Sequence, residues 1–156
     1  MQIMVKKYRY TPRPIYKSRK HDYYFLAHEK KELEKHYDFV TCRIVGTNCN
    51  RKLEVFGYYK QTGKYYKYKI EYDGYSDPIV SILSPNLVEE PPHVYAPNNN
   101  LCLYYPKDQP WLSGKCSLYE HIIPWVHEWI LFYEIWLLSG KWEHPEVLHN
   151  VKQKST

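Results

Sequence analysis

The chain has 156 residues, enough for one domain with its own core, and a net charge of +5. Eighteen Tyr and five Trp make that core unusually aromatic, and eleven Pro require several fixed turns. No apolar run reaches the length of a membrane span and no signal-type block follows Met1, so a cytoplasmic protein is expected, with Cys42, Cys49, Cys102 and Cys116 as reduced thiols. No Gly-rich phosphate loop is present, which argues against nucleotide hydrolysis.

Charge divides the chain into a basic N-terminal arm, 1–20, and a domain, 21–156. The arm holds Lys6, Lys7, Arg9, Arg13, Lys17, Arg19 and Lys20 and no acid, so it carries +7 and the remainder −2. A solvated arm and an arm that grips an acidic partner or nucleic acid, helped by Tyr8, Tyr10 and Tyr16, both fit this composition.

Asp22 can cap a helix running to about Tyr37, with Leu26, Leu33 and Tyr37 as a narrow apolar stripe among mixed charges. Strand-like runs follow. Phe39 to Gly46 sets Val40, Cys42 and Ile44 against Thr41 and Arg43; Arg51 to Lys60 has Leu53 and Val55 on one face. The cleanest period is Tyr66, Tyr68, Ile70 and Tyr72 alternating with Lys67, Lys69, Glu71 and Asp73, the mark of an antiparallel sheet with one wet face. Pro78 to Leu83 is a short fourth strand.

From Pro91 to Tyr104 the chain reads as a shaped loop: two prolines, Asn98-Asn99-Asn100, then Cys102 between Leu101 and Leu103. A cysteine there can be packing, or a nucleophile whose oxyanion is held by nearby amides. Ser117 and Glu120 match a capping box, and the long helix that follows carries Ile122, Val126, Trp129, Ile130, Tyr133, Trp136 and Leu137. Leu131, Phe132, Ile135 and Leu138 widen that stripe, so the helix is expected to be largely buried across the sheet. Pro124 suggests that regular helix begins there after a looser turn, and Gly140 ends it. Cys102, Cys116, His121 and His93 lack the short Cys-x-x-Cys pair of a zinc site, so no metal or other cofactor is expected. The fold class is α+β: an N-terminal helix, a four-stranded antiparallel meander, an active-site loop and one long buried helix.

The order of these elements resembles the ubiquitin-conjugating-enzyme (UBC) fold: Lys31-Glu32-Leu33 in the first helix, Pro78-Ile79-Val80 in the fourth strand, His93, Leu101-Cys102-Leu103 nine residues on, and Trp111 nine after the cysteine. Pro92-His93-Val94-Tyr95, Leu101-Cys102-Leu103-Tyr104 and the tail Ile123-Pro124-Trp125, Trp129, Tyr133-Glu134, Trp136, Gly140, Trp142, Glu146, His149 are similar to UBC-like proteins of bacterial CBASS anti-phage operons. The likeness covers roughly residues 22 to 150.

That resemblance implies a transferase in which Cys102 carries the C-terminus of a partner protein, the operon's cyclic-oligonucleotide synthase, as a thioester and passes it to an amine. A separate activating enzyme would supply the acyl group, or Cys102 would attack an existing acyl bond. His93 matches the first residue of the family's His-Pro-Asn triplet, as a loop clamp or a base. Val94 and Tyr95 depart from the Pro and Asn, so Tyr95, Asn98, Asn99, Asn100 or backbone amides would hold the oxyanion. The same departure suits an alternative, a catalytically inactive UBC-like scaffold that binds the synthase. Neither membrane nor nucleic acid is implied as a partner.

Overall fold

The computed structural model describes residues 19–61 and 63–143. Of the arm, only Arg19 and Lys20 fall inside those ranges; the segment with His144, Glu146 and His149 lies outside them.

Helix α1 spans Tyr23–His36. The Asp22 carboxylate caps it by accepting the Phe25 N–H at 2.8 Å, satisfying one of the donors that a helix start leaves unpaired. Its inward face is Leu26, Glu29 and Leu33, spaced one helical turn apart. At its far end the Tyr37 hydroxyl donates to the Tyr119 carbonyl at 2.6 Å, tying the helix to a segment eighty-two residues away.

Four strands follow as an antiparallel meander in the order β1 (Val40–Val45), β2 (Lys52–Gln61), β3 (Lys64–Tyr72) and β4 (Ile79–Ser84). The register sets Cys42 opposite Val55, Val55 opposite Ile70, and Ile70 opposite Val80, so one apolar row crosses the whole inner face. The alternation in β3 is realised: Tyr66, Tyr68, Ile70 and Tyr72 are buried, while Lys67, Lys69 and Glu71 turn outward. Each such buried side chain stabilises the fold by roughly 1.5–3 kcal/mol before conformational entropy is counted. Gly57 is a close-approach position. It pairs with Tyr68, and a Cβ there would sit 2.3 Å from the Tyr68 ring. The bare backbone lets that ring lie flat over the strand and reach His127, whose Nε2 is 2.9 Å from the Tyr68 hydroxyl.

The second helix starts as the cap residues suggest. Ser117 Oγ accepts the Glu120 N–H at 3.3 Å; a wide π-type turn covers Leu118–Ile122, and regular helix α2 runs from Ile123 to Ser139 with Pro124 in its first turn. It stops at Gly140, whose φ of 73° is the left-handed value that glycine adopts without a Cβ penalty. Ile123, Val126, Trp129, Ile130 and Tyr133 join the sheet's inner face in one core, and the Tyr66 hydroxyl donates to the Glu134 carboxylate. The expectation that the apolar stripe stays buried to its end is corrected. Leu137 is 38% and Leu138 88% exposed: they lie in the last turn of the helix, past Tyr133 and Glu134, its final buried residues. No helix among the described residues is long and apolar enough to cross a membrane.

Candidate active site

Between β4 and the π-type turn, the loop around Cys102 folds into a small hairpin, β5 (Val94–Tyr95) with β6 (Asn100–Leu101), where the sequence shows only a shaped loop. Val94 pairs with Leu101 and Tyr95 with Asn100, and the turn between them contains a cis Ala96–Pro97 bond and Asn99 at a φ of 55°. Asn tolerates that left-handed angle better than most residues. Leu101 is buried, which anchors the strand that delivers Cys102.

The hairpin's base is clamped by one carbonyl. His93, at a φ of 51°, turns its C=O so that it accepts the Cys102 N–H at 2.9 Å and the Trp129 indole N–H at 3.1 Å. Trp129 belongs to the core helix, so the cysteine's backbone is referenced to the rigid part of the fold. The His93 ring stacks on Trp142, with centroids 4.8 Å apart and planes 28° apart.

Cys102 is half-buried. Its thiol lies 3.3 Å from the Tyr95 hydroxyl and 3.7 Å from the Tyr104 carbonyl, with the S–H as donor in both contacts. Just downstream, the buried Tyr104 hydroxyl donates to Asp77 and its ring packs 5.2 Å from Trp125, while the Trp111 indole N–H donates to the Tyr72 hydroxyl at 3.2 Å. Both flanks of the cysteine are therefore fixed. The sulfur opens onto a depression of about 450 Å³ walled by His93, Val94 and Tyr95 on the hairpin side and by Tyr105, Pro106 and Lys107 on the other.

Burial pushes the Cys42 thiol up to about 12, so it stays protonated and inert in the core. At the site itself, the Tyr95 hydroxyl is pushed well above the usual phenol range, first by burial, then by its bond to Cys102 and the negative charge that Cys102 and Asp77 can carry. Tyr95 therefore keeps its proton, and its hydroxyl has a hydrogen to donate as well as lone pairs to accept with. Tyr104 is held protonated for related reasons, burial and its bond to Asp77.

His93, Tyr95 and Cys102 thus come together around one depression. Asn98, Asn99 and Asn100 do not wall it: the first two sit in the exposed turn and the third is paired along the hairpin. Sequence reasoning missed the wall formed by Tyr105, Pro106 and Lys107, although a Pro-containing polar turn four residues past a cysteine was a visible signal. It also missed the contact of Trp129 with His93, because a bond to a main-chain carbonyl leaves no residue-type signature. A second depression of about 490 Å³, walled by Arg19, Tyr75, Trp111 and Lys115 among others, holds no thiol.

One antiparallel sheet backed by a crossing helix, with a half-buried thiol at the mouth of a clamped hairpin, makes this an α+β domain consistent with an E2-like fold. The chain belongs to the E2-CBASS family, described as Type II CBASS E2 protein, whose model matches residues 29–150. That makes it an E2-like protein of CBASS defence. No curated protein matches the sequence.

Proposed function

We propose that this chain is a UBC-like acyltransferase whose Cys102 takes the C-terminal carboxyl of a partner protein, the operon's cyclic-oligonucleotide synthase, as a thioester and hands it to an amine. The observation that carries the reading is the placement of the Cys102 sulfur: at the mouth of an open depression, 3.3 Å from the hydroxyl of Tyr95.

The thiolate attacks the activated carbonyl; a C–S bond forms and the leaving group departs with its electron pair. During attack, negative charge moves from sulfur to the carbonyl oxygen. The protonated Tyr95 hydroxyl, 3.3 Å from the sulfur, is a side-chain donor beside that transfer, and a preorganised donor of this type is worth about 3 kcal/mol of barrier. His93 acts here through its carbonyl, which holds the Cys102 backbone and thus the direction of the sulfur. An amine then attacks the thioester, the C–S bond breaks and the free thiol returns.

Co-expression of the full chain with the synthase tests this. A covalent adduct that disappears in Cys102→Ala and is cleaved by thiol reductant supports the transferase. An adduct unchanged in Cys102→Ala refutes it, and wild-type protein with Cys102 unmodified points to the scaffold that the Val94 and Tyr95 departures allow.

A further inference from the structure

The wall of the Cys102 depression contains an amine of the protein itself. Lys107 lines the cavity together with Cys102, and among the described residues it is the one lysine that does so. The turn that presents it is fixed: Pro106 restricts one side, and the Tyr105 carbonyl accepts the Asp108 N–H at 3.1 Å and the Gln109 N–H at 2.8 Å. The Lys107 side chain is exposed, and among the described residues no carboxylate lies within ion-pair distance of it, although Lys30, Lys64 and Lys69 each have one. A nucleophile without a salt bridge to break thus shares a cavity with the sulfur that would carry an acyl group.

From this juxtaposition we infer that Lys107 is an acceptor for the acyl group on Cys102, so that the protein modifies itself when no other amine enters the depression. The inference rests on the carrier reading above and names its acceptor. In the transfer, the neutral lysine nitrogen bonds to the thioester carbonyl carbon. The C–S bond breaks with its pair on Sγ, and the proton shed by nitrogen ends on the thiolate or in water. An amide and a free thiol result, with no oxidant or reductant involved. Because the amine reacts only as the free base, the conversion accelerates as pH rises. Sharing one cavity raises the effective concentration of this amine at the thioester above its bulk value.

The test uses the full chain and a chemical donor, a short glycine-ended peptide supplied as its mercaptoethanesulfonate thioester, which exchanges onto a reactive thiol without an activating enzyme. Adducts are mapped by peptide mass spectrometry before and after hydroxylamine, which cleaves thioesters and spares amides. Wild type should show a labile adduct on Cys102 that converts to a stable one on Lys107. Lys107→Arg, which keeps the charge on an exposed side chain, should accumulate the labile adduct while the stable product falls at least about tenfold. Cys102→Ala should show neither. A Cys102 adduct that hydrolyses at the same rate in wild type and Lys107→Arg, or stable label spread evenly over surface lysines, overturns the inference and leaves the carrier reading standing. No adduct at Cys102 overturns both.

Discussion

Trp129→Phe separates the clamp from the core around it. Trp129 is 3% exposed, its ring stacks on Tyr133 with centroids 5.1 Å apart, and its indole N–H reaches the His93 carbonyl at 3.1 Å. Phenylalanine keeps an aromatic ring but removes that donor. The His93 carbonyl retains the Cys102 N–H and is not orphaned, so the lost bond costs about 1 kcal/mol. The smaller ring leaves a void worth about 1–2 kcal/mol more. The total is about 2–3 kcal/mol, read as a shift in denaturant midpoint at constant slope. Val126→Ala is the control: Val126 is buried on the same helix, has a side chain with no hydrogen-bonding group, and should lose about 2 kcal/mol by truncation alone. The two variants should be similarly destabilised. Only Trp129→Phe should speed hydrogen exchange at the Cys102 amide and broaden the reactivity of its thiol. Equal exchange at Cys102 in both variants would refute the clamp.

Other perturbations follow from the same geometry. Tyr95→Phe should slow acylation of Cys102 from a thioester donor by about 10–100-fold, somewhat less than loss of a fully buried oxyanion donor because Tyr95 is 49% exposed, while alkylation by a small electrophile changes little; equal effects on both rates would deny Tyr95 an oxyanion role. Burial raises the Glu29 carboxyl to about 7 against the pull of the Leu118 N–H that donates to it, so its favourable contribution is complete below about 4.5 and is lost as pH rises through 7. Glu29→Gln should therefore be about 1–3 kcal/mol more stable than wild type at pH 8 and lose that advantage at pH 4, measured by denaturant titration. Burial lowers His127 to about 4, the opposite sign: its contribution is complete above 6.5 and is lost as pH falls toward 4. Solvent screening of this partly buried ring limits it to about 1–2 kcal/mol, which should appear as an acid-side decline that survives in Glu29→Gln. Gly57→Ala should cost about 1–3 kcal/mol, since its Cβ would collide with the Tyr68 ring; a neutral result would mean the ring swings away freely.

Much of the scaffold is legible in the residues because local chemistry decides it. Asp22, Ser117, Pro124 and Gly140 each act on the backbone within four positions, and the Tyr–Lys alternation of β3 has no other stable arrangement than one wet face and one dry face. What escaped is long-range or two-sided. Leu137 and Leu138 look like core, yet they lie in the helix's last turn, past its final buried residues Tyr133 and Glu134. Glu29 looks like surface charge, yet it is buried to receive an N–H from Leu118, eighty-nine residues away. At the site, the sequence pointed to Cys102, but the approach of Tyr95 to it depends on the hairpin pairing Val94 with Leu101, which two-residue strands do not announce. The resemblance to UBC-like proteins supplied the expectation of a reactive sulfur; the structure sets Cys102 at an open depression with its N–H on the His93 carbonyl.

The most direct measurement replaces the sulfur by oxygen. Cys102→Ser, co-expressed with the synthase, should trap the acyl group as an ester that resists thiol reductants and falls to hydroxide, and fragmentation of the purified adduct should show the synthase C-terminal carboxyl joined to position 102. An adduct joined through a position other than 102 or the acceptor Lys107, or wild-type and Cys102→Ser protein that are both recovered free of the synthase, would contradict the account.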